Sequence, residues 1–309
     1  MRDFISWYNK NRIRVWVVIA IIAFLILLVH LLNDLIKNNN EQGKNSGLNN
    51  SKNKSYNTIA LEDNSSVITG KDMSKSQTES LSIIDKFVEY CNGGNISNAF
   101  NLLSDDCKEQ LYSNEEQFKE NYYKVVFNGA KKVATIENWV GNIYKVTFKE
   151  DALSTGKYNS NNNIQDYITI IEQDGNLKLN INNFIGKEKI NKENKVNNVT
   201  FKVIERNIYM DYESYKYEIT NLSDESILLN NNETIDSMYL QDEKNVKYSA
   251  YINELPQSLL EIFSGESKIL NIKYYSKYSS TRIISKIAFD RVIFNYETSP
   301  KSGQVQISL

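Results

Sequence analysis

The sequence predicts a single N-terminal transmembrane helix followed by two outer domains, the first α+β and the second an all-β sandwich. Three observations predict it. An uninterrupted apolar run lies near the start. Helical spacing then gives way to strands. Period-two alternation fills the last part of the 309 residues. The expected boundaries are a basic tip at 1–14, the transmembrane helix at 15–36, a disordered linker at 37–77, the α+β domain at 78–190 and the sandwich at 197–309.

From Val15 to Leu32 there is no Asp, Glu, Lys or Arg. That run approaches the roughly 20 residues a helix needs to cross a bilayer core. A soluble helix is seldom apolar on every face for so long. Val15, Trp16, Phe24, Leu28 and Leu32 are the expected anchor residues, with the lipid bilayer as their partner. Signal peptides carry a shorter apolar region and a small-residue cleavage site. Here Val29-His30-Leu31-Leu32-Asn33 follows instead, so the anchor is expected to stay. Arg2, Lys10, Arg12 and Arg14 precede the run, whereas Lys37 is the first cation after it. Lys and Arg favour the cytoplasmic side, so the rest of the chain is expected outside the cell membrane.

The net charge is −2. The first 14 residues hold four cations and one anion, which leaves −5 for the remainder. That balance argues against nucleic acid as a partner. The single histidine is His30, inside the apolar run. The outer part therefore lacks Ser-His-Asp and Cys-His catalysis and His-containing zinc sites. Two cysteines do not make a four-Cys metal site either. No cofactor or metal site is expected.

Residues 37–77 are rich in Asn, Ser, Lys and Gly. Such a segment buries too little apolar surface to offset its ordering entropy. Within it "TIALE" and "SVITG" read as a weak strand or a docking peptide.

"TESLSIIDKFVEYCNGG" places Leu81, Ile84, Phe87, Val88 and Cys91 at helical spacing, with Thr78 as N-cap and Gly93-Gly94 as the stop. "ISNAFNLLSDDCKEQLY" repeats the pattern, with a break expected near Ser104. "SNEEQFKENYYKVVF" is the third helix, with a capping box from Ser113 to Glu116. After Asn128-Gly129 the period changes to that of strands, through "KVATIENW" and "NIYKVTFKE". "IQDYITIIEQDGNLKLNIN" reads as a hairpin turning at Asp174-Gly175. Helices before an antiparallel sheet imply an α+β domain with the helices on one face.

Cys91 and Cys107 both fall on apolar faces. They read either as two small buried hydrophobes or as a disulfide joining the first two helices. Such a bridge would close a loop of about 15 residues and stabilise by roughly 3 kcal/mol. Asp105, Asp106 and Glu109 form an acidic cluster, read as a solvated helix end before an acid/base pair. Tyr122, Tyr123, Tyr144, Tyr158 and Tyr167 read as core packing before pocket lining.

The helical stretch from Ile83 to Phe127 resembles the start of the nuclear-transport-factor-2-like (cystatin-like) cone. The whole of 78–187 also resembles uncharacterised clostridial and other Gram-positive membrane-anchored proteins. The resemblance implies a curved sheet wrapped around a helix, with a pocket between them. Enzymes of that superfamily use Asp, His and Tyr in the cone, and His is missing here.

"GKEKINKENKVNN" reads as a charged joint. Beyond it Val199, Phe201 and Val203 alternate with polar residues, as do Tyr215, Tyr217 and Ile219, then Leu270, Ile272 and Tyr274. Turns such as "NLSDES", "DEKN" and "SGES" separate them at sandwich spacing. The stretch resembles immunoglobulin-like sandwiches of bacterial surface proteins, which implies edges and loops suited to binding and no catalytic motif.

The expected function is a non-catalytic interaction or scaffold protein of the bacterial cell envelope, with other envelope proteins as partners. Its layout resembles membrane scaffold subunits of conjugation and secretion systems. The competing expectations are a ligand-binding or sensing receptor using the cone pocket, its small-molecule ligand unknown, and a carboxylate- or tyrosine-based enzyme.

Overall fold

The structure, a computed structural model, describes residues 59–60, 66–69, 75–151, 163–230 and 237–309. It corrects the expected fold class. Antiparallel sheet dominates the molecule. No helix among the described residues is long and apolar enough to cross a membrane. Their longest, α1 (Lys75–Asn92), has 18 residues but carries Lys75, Glu79, Asp85, Lys86 and Glu89. The expected span at 15–36, with Val15, Trp16, Phe24, Leu28 and Leu32, lies outside the described residues.

Residues 56–309 form one compact unit built on three sheets. The first sheet is six-stranded, in the order β1 (Ile59–Ala60), β2 (Ser66–Thr69), β3 (Lys132–Val140), β4 (Ile143–Glu150), β5 (Ile164–Gln173) and β6 (Asn176–Asn180). Every pairing is antiparallel except β2 with β3. Both β1 and β2 fall inside the segment read from composition as a disordered linker. α1 likewise starts at Lys75, three residues before the expected cap at Thr78. Asp174 and Gly175 turn the β5–β6 hairpin at φ 51° and 73°, the left-handed pair that matches the twist of the strands.

The helices between β2 and β3 bury their apolar side against this sheet. The break near Ser104 separates α2 (Ile96–Asn101) from α3 (Asp105–Leu111). The Ser104 Oγ accepts from Cys107 N at 2.9 Å and donates to Asn180 Oδ1, so the α3 cap is also tied to β6. The third helix starts one residue later than expected. Asn114, not Ser113, caps α4 (Glu115–Phe118), accepting from Gln117 N at 2.9 Å, and Gln117 Oε1 receives Ser113 N. α4 runs through a π-helical turn, Lys119–Tyr123, into α5 (Lys124–Val126).

The stretch read as a charged joint is instead β7 (Phe184–Val196), hydrogen-bonded along its length to β8 (Val199–Tyr209). Its reading failed for a physical reason. β7 is an edge strand, solvated over much of both faces, so no alternation of apolar residues marks it. Asn191, at φ 51°, sits where the pairing shifts register. Asn197-Asn198 supplies the left-handed hairpin turn at φ 50° and 61°. Phe184 belongs to the core under the helices, while Val196 packs on the second core.

That second core lies between two sheets. One is four-stranded, in the order β14 (Ser267–Tyr274), β9 (Glu213–Asn221), β8 and β7. The other is built around β15 (Ile284–Phe294), which pairs with β10 (Ile227–Leu228), β11 (Met238–Asp242) and β16 (Lys301–Ser308). β12 (Lys247–Ser249) extends it beside β11, and β13 (Glu261–Ile262) beside β10. The alternation predicted in β8 is the observed one. Val199, Phe201 and Val203 are buried and the intervening residues partly exposed.

Candidate functional site

Two places bring polar chemistry together. The first is inside the helix-covered half. Asp166 lies on the core-facing side of β5, in step with Ile168 and Ile170, and is buried. Its Oδ2 accepts from the Tyr122 hydroxyl at 2.7 Å and from Asn182 N at 2.9 Å, and its Oδ1 accepts from Asn183 N at 2.8 Å. Asn182 and Asn183 are both left-handed, at φ 60° and 61°, and form the turn that leads into β7. The carboxylate thus clamps that turn. Burial pushes the Asp166 carboxyl above its usual range, and the three hydrogen bonds only partly oppose this.

Around it the interior is filled by the protein's own rings. Phe118 stacks on Tyr122 at 5.8 Å and meets Tyr112 edge-on at 5.6 Å. Phe87 lies 6.2 Å from Phe118 and 6.0 Å from Tyr122. The Asp166 oxygens are thus engaged by the turn and by Tyr122, among packed aromatic side chains.

The second place is a surface cleft of about 230 Å³ on the two-sheet half, lined by the turn after β11 and by residues 279–283. The turn is built by Asp242. Its Oδ1 accepts from Lys244 N at 2.9 Å and Val246 N at 2.8 Å, and its Oδ2 accepts from the Tyr248 hydroxyl at 3.0 Å. An Asp bonding the backbone two residues on is a common turn former. Burial alone would raise the Asp242 carboxyl. The Val246 N–H, the Tyr248 O–H and the Lys244 N–H outweigh it, so it lies below the usual carboxylate range. Facing this turn, the Arg282 guanidinium sits 4.7 Å from the Tyr248 ring centre. Its Nη2 donates to Glu213 Oε1 at 2.8 Å and to Lys277 O at 2.5 Å. Glu213 is itself buried and also accepts from Tyr215 and Ser276. Arg282 is therefore held from behind. Val246 and Ile283, 47% and 58% exposed, form the apolar lip.

The residues singled out from the sequence separate in the structure. Cys91 and Cys107 are free and both buried, so no bridge joins them. Burial pushes both thiols up, Cys107 to about 12. Asp105 and Asp106 occupy the first turn of α3, where the helix dipole favours carboxylates. Glu109 pairs with Lys187 at 2.9 Å instead of with its acidic neighbours. Tyr122 and Tyr144 are buried, and Tyr123 packs partly buried on the first core. Tyr167 meets Trp139 edge-on at 5.4 Å, and Tyr158 lies outside the described residues. Asp166 is not among the residues the sequence singles out, and its one signal is an acid at a core-facing position of "IQDYITII". The cleft carried no sequence signal, because its two walls come from segments more than 30 residues apart. Among the described residues no group of three or more His, Cys, Asp or Glu is placed to hold a metal ion.

No family model matches the chain, and no curated protein does. A solved structure of a conserved hypothetical protein from Bacillus anthracis is similar over 39% of this chain and 96% of its own, at 16% identity and a TM-score of 0.25. So slight a likeness bears on neither fold nor function.

Proposed function

We propose that the chain is a non-catalytic interaction or scaffold module of the bacterial cell envelope, held at the cell membrane with residues 56–309 on its outer face. The observation that carries the non-catalytic part is the interior of the helix-covered half. Its space is taken by Phe87, Phe118, Tyr112 and Tyr122, and its buried carboxylate is consumed by a turn. The absence of histidine after His30 supports the same reading. The placement rests on sequence alone, on the apolar run 15–32 and the cations that precede it. Exposed apolar side chains on the two-sheet half, among them Leu222, Phe263, Ile269 and Ile283, suit contact with other proteins.

Crosslinking in intact wall-stripped cells, followed by mass spectrometry, tests the reading. The expected result is a reproducible set of envelope proteins joined to lysines of residues 56–309, with the chain in the membrane fraction. Recovery of the chain in the cytosolic fraction, or crosslinks to cytosolic proteins alone, would overturn it.

A further inference from the structure

The cleft beside Arg282 spends its acceptors and keeps its donors. Both Asp242 oxygens are used inside the turn, by Lys244 N, Val246 N and the Tyr248 hydroxyl. On the donor side, a guanidinium has five N–H groups. The Arg282 bonds to Glu213 and Lys277 both leave from Nη2, and the guanidinium also meets the Tyr248 hydroxyl, which leaves part of its donor set. The Lys244 ammonium enters no ion pair among the described residues. The hydroxyls of Ser279 and Thr281 lie on the same wall, 3.4 Å from each other. Glu243, exposed on the turn, is the one lining carboxylate outside this bonding.

Two magnitudes narrow the ligand. Formal charge on the lining balances, Asp242 and Glu243 against Lys244 and Arg282. A polyanion therefore gains little, whereas a single carboxylate gains the directed donors. The cleft, about 230 Å³, is also smaller than the roughly 300–1,000 Å³ of small-molecule pockets. It has room for the end of a chain. The half-exposed side chains of Val246 and Ile283 at its lip offer a seat for one apolar side chain.

We propose that this cleft captures the C-terminal carboxylate of an extended partner peptide, with the peptide's last apolar side chain packed on Val246 and Ile283. Capture of a chain end is a recurring mode of peptide recognition. The proposal rests on the interaction-module reading and names the chemistry of one partner.

Calorimetry of the full-length chain in detergent tests it with two acetylated hexapeptides ending in Leu-Val, one with a free carboxylate and one with a C-terminal amide. The free acid is expected to bind saturably and the amide about tenfold more weakly. Raising salt from about 50 to about 500 mM is expected to weaken the acid alone. Lys244→Ala and Ile283→Asp are each expected to weaken the acid severalfold without moving the melting temperature. Both residues are exposed and stand outside the Glu213 cluster. Equal binding of acid and amide, no saturable binding of the acid, or displacement of the peptide by acetate at equal concentration would overturn the proposal. Envelope partners crosslinked at other faces, with neither peptide bound, would sink the cleft and leave the interaction module standing. Absence of any envelope partner in cells would sink both.

Discussion

Asp166 shows how one side chain is asked to do a backbone's work. Its three donors are two left-handed amides and a buried phenol. Asp166→Asn puts an NH2 group against one of those N–H groups. Leaving a buried donor unmet costs about 1–3 kcal/mol, so the urea midpoint should fall accordingly. The pH dependence has a definite sign. The folded carboxyl is raised above its unfolded value, mainly by burial. The Asp166 contribution is then complete below the unfolded value of about 3.9 and is lost as pH rises through the folded value. The gap between wild type and Asp166→Asn should narrow from acid to neutral pH, and a gap that widens would contradict the desolvation account. The cysteines give a simpler test. With both thiols buried and pushed up, the native chain should not react with a thiol reagent over an hour, while the urea-unfolded chain should titrate two thiols without prior reduction. No thiol in urea would mean a bridge.

At the scale of elements, legibility followed water. α1, β8, β9 and the β5–β6 hairpin each turn one face to a core and one to solvent, so their periods stand in the sequence. The edge strand β7 turns polar residues both ways, and its composition reads as a linker. β10, β12 and β13 are two or three residues long, too short for any period. β16 contains a position where packing, not propensity, decides. A Cβ on Gly303 would stand 2.8 Å from Cε2 of Phe294, the buried ring two pairs along the ladder with β15. Gly303→Ala should therefore destabilise by about 1–3 kcal/mol through overpacking, against the gain that Ala brings to an ordinary strand glycine. An unchanged or raised melting temperature would show that the ring moves aside freely.

Across the described residues of the molecule, two cores share one strand pair. β7 begins in the first core and ends beside the second, and Tyr209 at the end of β8 packs on Phe184 at 5.3 Å. Lys187 adds a polar tie, reaching Glu109 of α3 at 2.9 Å and Glu205 of β8 at 3.3 Å. Calorimetry should show residues 56–309 unfolding in a single transition. Tyr209→Ala removes a ring from the shared region at a cost of roughly 3–5 kcal/mol, as for other large core aromatics. It should split or broaden that transition. Two transitions in the wild type would mean that the cores fold independently.

The sequence by itself determined the lack of histidine chemistry beyond residue 30, the change from helices to strands near residue 130, and the alternating burial of β8, β9 and β14. These follow from composition and from contacts with solvent, which are local. Only the tertiary structure decided that residues 184–196 are strand, that Asp166 serves a turn, that the cysteines stay apart, and that Lys244 and Arg282 share a cleft. Each of those depends on which distant segment a residue meets, and such pairings are set by the packing of the cores rather than by any repeat along the chain.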